Sequence, residues 1–216
     1  MPYPNDVSRI AQRVALAGAS VSADQAAGLA AYLDVLRRWN QKSNLTAFEL
    51  SPASDAALDR LIVEPVVAAV RLLPSDRLLV DIGSGGGSPA IPLRVMAPQL
   101  RVVLVEARTR KSAFLREVVR QLALEGAEVE NRRFEELAGR SELQGKADVV
   151  TMRAVRIGGD FWVNARNLLH PSGRLMLLGT AQDLEALNLP PNMELVISEP
   201  LVQANHSHLI ALRRKD

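Results

Sequence analysis

Leu78-Leu-Val-Asp-Ile-Gly-Ser-Gly-Gly-Gly-Ser-Pro-Ala-Ile-Pro-Leu93 runs from an apolar strand into a glycine-rich turn and on into the start of a helix. Glycine lets the chain turn at backbone angles closed to other residues, and it lets a ligand approach where a Cβ would collide. In open α/β sheets, ligands sit beyond the carboxyl ends of the strands, where this turn lies.

Outward from the turn, short β-rich runs alternate with helical ones, the pattern of a parallel sheet with crossover helices. Strands are expected at residues 78–80, 102–105, 127–131, 148–152 and 174–178, with helices over 89–96, 109–124 and 161–169. Residues 194–198 and 208–212 are extended runs joined only by a loop, so they are expected to pair antiparallel. Upstream, Ser22 suits an N-cap for a helix reaching Trp39, with Leu29, Leu33 and Leu36 on one face. Residues 40–52 are rich in loop formers, and a second helical stretch over 55–73 carries Pro65 as an irregularity or a break. The expectation is a doubly wound, mostly parallel α/β sheet with an antiparallel C-terminal edge and an N-terminal helical cap. Residues 1–74 would form the cap and 75–216 the cofactor-binding domain.

The turn can be read in two registers. From Gly85 it matches the GxGxxG/A of dinucleotide folds, which set a pyrophosphate on a helix N-terminus. From Asp81 to Gly87 it reads DxGxGxG, with an acid at the strand end. A carboxylate there repels a pyrophosphate and suits the ammonium of a methionine moiety, which favours S-adenosylmethionine over a nicotinamide dinucleotide. Glu106 closes the second strand about 20 residues beyond the turn, where an acid reaches a ribose diol in either cofactor class.

Composition excludes several classes of function. The 216 residues are 48% hydrophobic and 23% charged, enough for one sizeable core. No apolar stretch is long and uncharged enough to span a bilayer, and the N-terminus lacks the pattern of a signal peptide. A cytoplasmic location is therefore expected. The absence of cysteine removes disulfides, thiolate metal sites and a cysteine nucleophile. His170, His206 and His208 are too few and scattered for a metal site, and no Ser/His/Asp triad is evident. The formal charge is only +2, carried mostly by arginine, which suits phosphate recognition but does not by itself make a nucleic-acid binder. With 4% aromatic residues, no base-stacking platform stands out; Phe48 and Phe134 suit base stacking or core packing.

Beyond the turn, Trp39-Asn40, Asn44-Leu45-Thr46, Lys111, Phe114-Leu115-Arg116, Phe134-Glu135-Glu136 and Arg153-Ala154 form a wider set with the loop Asp81 to Leu93 and its second proline, Pro92. With these, the chain from about Trp39 onward resembles the RsmG (GidB) family of 16S ribosomal RNA methyltransferases, which methylate N7 of a guanine in the small subunit. The resemblance implies a class I methyltransferase (Rossmann-like) fold, S-adenosylmethionine as cofactor, and 16S rRNA or the small ribosomal subunit as partner of a monomer. It further implies that Asp81 and the backbone of Gly83, Ser84, Gly85 and Gly87 hold the methionine end, Glu106 the ribose, and Phe134-Glu135 the adenine. Arg153 would border both the cofactor and the methyl-transfer pocket. Asn44 and Thr46 would close that pocket or touch the target base, or else serve as turn formers. Arg108, Arg110 and Lys111 form a basic cluster suited to RNA phosphates. The chain departs from the family pattern at Leu61, Leu178 and Ser207, where histidine, lysine and arginine are usual. A methyltransferase of a small molecule or protein, and a non-catalytic cofactor- or RNA-binding paralogue, are the alternative readings.

Overall fold

The computed structural model describes residues 5–153, 160–182, 187–203 and 206–215. The first third is helical: α1 (Asp6–Leu16), α2 (Ala23–Ser43), α3 (Asp55–Leu58), a π turn (Asp59–Val63), α4 (Glu64–Ala68) and a final 3-10 turn (Ala69–Arg71). Ser22 does cap α2. Its Oγ accepts from the Gln25 amide at 3.1 Å while Gln25 Oε1 accepts from the Ser22 amide at 2.8 Å. This reciprocal box contributes about 1 kcal/mol. Pro65 falls in the first turn of α4, which continues the π turn in right-handed helical conformation, so its missing N–H leaves a carbonyl of the preceding turn without a helical partner. The irregularity expected at Pro65 therefore lies just before it, in the π turn.

The rest is strand and helix in alternation: β1 (Leu78–Ile82), α5 (Ala90–Met96), β2 (Arg101–Val105), α6 (Thr109–Gln121), β3 (Ala127–Glu130), α7 (Phe134–Ala138), β4 (Ala147–Arg153), α8 (Phe161–Leu168), β5 (Leu169–Thr180), β6 (Met193–Pro200) and β7 (Ser207–Arg214). The helix expected over 109–124 stops earlier because Ala123 takes φ +47. The fifth strand begins at Leu169, which pairs with Ala147, so it is longer than its apolar centre indicated. Among the described residues, these seven strands form one sheet in the order β3-β2-β1-β4-β5-β7-β6. β1 to β5 are parallel, and the chain reverses direction across the sheet between β1 and β4, the switch point where such folds bind ligands. The two tail strands pair antiparallel, as expected; β7 is inserted between β5 and the edge strand β6.

β1 is buried along its whole length because both faces of the sheet are covered. Leu79 enters one core with Val102 and Leu104 from β2, packed against α5, α6 and the N-terminal helices. Val80 and Ile82 point into the other, with residues of α7 and α8. Leu29, Leu33 and Leu36 of α2 and Leu58 and Ile62 of the next helices belong to the first core. The cap is thus laid directly on the face of the sheet beneath the glycine turn. Among the described residues, no helix is long and apolar enough to cross a membrane.

Candidate active site

The turn after β1 takes left-handed backbone angles at Gly83 (φ +68), Gly85 (φ +50) and Gly87 (φ +89). Gly87 has a second reason to be glycine: a Cβ there would stand 3.0 Å from Ile91 Cγ1 and 3.2 Å from Tyr32 Cε2. The turn is pinned from below, with the Ser84 amide donating to the Val105 carbonyl at 3.0 Å and the Ser84 hydroxyl to the Asp81 carbonyl at 3.1 Å. Glu106 pins it from the side. Its Oε2 accepts from the Gly85 amide at 3.0 Å and its Oε1 from the Arg108 amide at 2.8 Å. Each carboxylate oxygen has two acceptor positions, so Glu106 keeps capacity for a diol while shaping the turn.

Asp81 lies beneath the turn and is 1% exposed. Its Oδ1 accepts from the Thr151 hydroxyl at 2.6 Å, a contact set by the parallel register that puts Asp81 opposite Thr151. Its Oδ2 is buried and has no hydrogen-bond partner within the protein. Burial pushes the carboxyl up to about 6, against the opposing pull of the Thr151 and Ser84 hydrogen bonds and the charge of Arg153. An orphaned buried carboxylate oxygen calls for a cation or a proton. Together with glycines whose missing Cβ atoms bare the backbone, and an acid at the end of β2, these acceptors fit S-adenosylmethionine, with Asp81 able to take an ammonium and Glu106 a ribose diol.

Arg153, at the end of β4, is turned inward rather than presented to solvent, with its side chain 8% exposed. One guanidinium nitrogen donates to the Arg60 carbonyl and lies 3.4 Å from Ser88 Oγ. The other stands 3.0 Å from Glu64 Oε2. Burial pulls the guanidinium down to about 10, offset mainly by the charge of Glu64. Ala154, expected to extend this segment, lies outside the described residues.

The other expected residues are placed less uniformly. Asn44 is exposed and ends α2 in a left-handed conformation (φ +43). Thr46 Oγ1 accepts from the Phe48 amide at 3.2 Å, and the Thr46 amide donates to Asn40 Oδ1 at 2.9 Å. Both residues shape a turn, and the intervening Leu45 carbonyl lies against Gly86, 3.6 Å from where a Cβ would stand. Phe134 is buried against Phe161, with ring centroids 5.9 Å apart, while Glu135 beside it is exposed in the first turn of α7. Arg110 donates to Ser43 Oγ at 3.0 Å and to the Lys42 carbonyl, joining the start of α6 to the end of α2.

Four contributors escaped the sequence. Thr151 is an ordinary β-branched strand residue until the register is known. Tyr32 carries no local signal in the sequence, yet its hydroxyl donates to the Gly86 carbonyl at 2.6 Å. Arg60 and Glu64 are an i,i+4 pair whose only sequence signal was opposite charge at helical spacing, the Arg60 Nη1 donating to Glu64 Oε2 at 3.0 Å. The three departures from the family pattern are all core positions: Leu61 is 8%, Leu178 2% and Ser207 1% exposed.

The family model for rRNA small subunit methyltransferase G matches residues 25–209. A relative named ribosomal RNA small subunit methyltransferase G from Stenotrophomonas maltophilia (strain K279a) is 35% identical over 98% of this chain and 97% of its own length. One of the same name from Syntrophotalea carbinolica is 37% identical over 68% of this chain and 65% of that relative. Among solved structures, the mitomycin 7-O-methyltransferase MmcR shares the fold with a TM-score of 0.58 at 19% identity, covering 83% of this chain and 60% of that one. A SAM dependent methyltransferase from Aquifex aeolicus does so with a TM-score of 0.57 at 13% identity, covering 73% and 93%. With the glycine turn, the switch-point carboxylate and a match over most of its length, the chain belongs to the rRNA small subunit methyltransferase G family of S-adenosylmethionine-dependent methyltransferases.

Proposed function

We propose that this protein methylates N7 of a guanine in 16S ribosomal RNA, acting as a cytoplasmic monomer on the small ribosomal subunit or a precursor of it. The observation that carries this reading is the buried, half-unpartnered Asp81 beneath the glycine turn, in a chain matched nearly end to end by a relative named ribosomal RNA small subunit methyltransferase G. S-adenosylmethionine supplies an electrophilic sulfonium methyl when bound. Asp81 holds the ammonium, the Gly83–Gly87 backbone leaves room for the methionine end, Glu106 takes the ribose hydroxyls, and the Phe134-Glu135 segment borders the adenine. Guanine N7 already presents a lone pair on the major-groove edge, so no side chain need remove a proton. The task left to the protein is alignment of nucleophile and methyl, which can account for several kcal/mol of the barrier. Asn44 and Thr46 shape the loop that would border the target base. Arg108 and Lys111 would meet RNA phosphates, while Arg110 braces the α2–α6 junction.

The test is to incubate the purified protein with S-adenosylmethionine and small subunits from cells lacking this modification, then digest the rRNA and weigh its nucleosides. One added methyl as N7-methylguanosine, lost on raising the salt as phosphate contacts are screened, is the expected outcome. Methyl transfer to a protein or small molecule with none to 16S rRNA, free or assembled, overturns the substrate assignment.

A further inference from the structure

Glu64 opens α4 and is completely buried, yet it is charged chemistry in a place where an apolar side chain would pack without penalty. Its Oε2 is shared between Arg60 Nη1 and Arg153 Nη2, each at 3.0 Å, and its Oε1 has no hydrogen-bond partner. Burial pushes this carboxyl above its ordinary range, opposed first by Arg153 and then by Arg60 and Ser207. An incompletely satisfied buried ion pair is a poor source of stability, and well-packed apolar residues of similar volume often serve the fold as well or better. Its retention therefore asks for another account, and its location supplies one. Arg153 closes β4 directly across from the turn and touches Ser88, the last residue before Pro89 and α5. The same guanidinium bonds the Arg60 carbonyl, exposed by the π turn, so the irregular helix and the ion pair act on one group.

Resting on the methyltransferase reading above, we propose that Glu64 is a positioning residue for methyl transfer: it holds the Arg153 guanidinium against Ser88 and so fixes the α5 side of the glycine turn from the helical cap. The two sides of the turn are then set by separate carboxylates, Glu106 through Gly85 and Glu64 through Arg153. Without Glu64, Arg153 keeps its charge and its bond to the Arg60 carbonyl but loses the carboxylate that fixes its other nitrogen, and the turn relaxes on the side nearest the cap. Small displacements of this kind can lower turnover about 100-fold with the fold intact.

The test compares full-length Glu64→Gln and Glu64→Asp with the parent. The readouts are amide hydrogen exchange without cofactor, calorimetric titration with S-adenosylmethionine, and kcat and KM on small subunits. Glu64→Gln should exchange several-fold faster in the peptide spanning residues 82–90 and lose kcat far more than KM for rRNA, with Glu64→Asp recovering part of both. Unchanged exchange in that peptide together with parental kcat overturns the proposal. If Glu64→Gln does not fold, Glu64→Asp decides: folding with faster exchange in that peptide and depressed turnover supports a positioning role, and folding with parental exchange and turnover shows that the pair serves the fold alone. A parent that binds no S-adenosylmethionine removes the methyltransferase reading itself, and the proposal falls with it, while a binding parent isolates the outcome to Glu64.

Discussion

At neutral pH the Asp81 carboxylate is buried, bonded on one oxygen to Thr151 and unpartnered on the other. Its folded-state value of about 6 lies above the ordinary 3.8, so the folded protein holds this proton more tightly than the unfolded chain does. Stability therefore falls as pH rises between these two values, and above about 6 the full penalty stands, on the order of 3 kcal/mol. Asp81→Asn keeps an acceptor for Thr151 and removes the charge. We expect it to raise the Tm of the cofactor-free protein at pH 7.5 by several degrees while weakening S-adenosylmethionine at least about tenfold, as when a charged hydrogen bond is lost. A lower Tm with unchanged affinity would refute the assignment of Asp81 to the ammonium. The same group sets a pH dependence in the parent. Below about 6 a proton must leave Asp81 before the ammonium can pair, so calorimetric affinity should drop about tenfold per pH unit there and level off above it. Glu106 calls for the opposite pairing of outcomes. Glu106→Ala strips an acceptor from the Gly85 and Arg108 amides at the rim of the sheet, so it should weaken the cofactor while leaving the domain folded. Unchanged affinity by calorimetry would exclude the ribose role.

Among the elements, the glycine turn separates backbone freedom from space. Gly145 and Gly87 both have positive φ, +68 and +89, but a Cβ at Gly145 meets nothing within 4 Å whereas at Gly87 it meets Ile91 and Tyr32. Gly145→Ala should therefore lose only the backbone term of about 1 kcal/mol, and Gly87→Ala that term plus overpacking of about 1–3 kcal/mol. Chemical denaturation measures the difference, and equal losses would mean that the cap does not press on the turn. This element was the most legible in the sequence because its signals are local: an apolar run, an acid, glycines and a helix start within sixteen residues, from Leu78 to Leu93. Glu106 was legible for the same reason, as the acid ending the next apolar run. What pairs with what was not. Thr151 meets Asp81 through strand register, and Tyr32 reaches Gly86 across 54 positions of chain. Arg153 was expected to face the pocket, and its inward turn depends on a π turn that composition does not signal. The departures at Leu61, Leu178 and Ser207 likewise gain a physical reason only in the fold. Leu178 sits in register between Arg153 and Leu209, where an apolar side chain closes the core, and Ser207 Oγ accepts from the Val202 amide at 2.9 Å.

For the whole molecule, the question is whether residues 1–74 are an attachment or half of the structure. The first core draws Leu29, Tyr32, Leu33, Leu36, Leu58 and Ile62 from that stretch, all at 0% exposure, and packs them with the β1 and β2 face. At about 1.5–3 kcal/mol for each large apolar side chain buried, these contacts amount to roughly 10 kcal/mol, as large as the whole net stability of an ordinary domain. The cap is in turn locked to itself by the buried Arg37–Asp6 pair at 2.6 Å, joining α2 to α1. A fragment of residues 75–216 keeps every strand, the glycine turn and both site carboxylates, so local sequence alone would let it bind cofactor. It should instead lack a cooperative thermal transition, bind a hydrophobic dye and show no heat with S-adenosylmethionine, because one face of its sheet and the cap side of its turn are bare. The intact chain should unfold in a single step that reports cap and sheet together, the helical signal and the fluorescence of Trp39 and Trp162 changing at one temperature. Two separated transitions, or a fragment that melts cooperatively and binds cofactor, would make the cap a separable domain. The contacts of Tyr32 and Glu64 with the turn would then be tuning rather than part of its foundation.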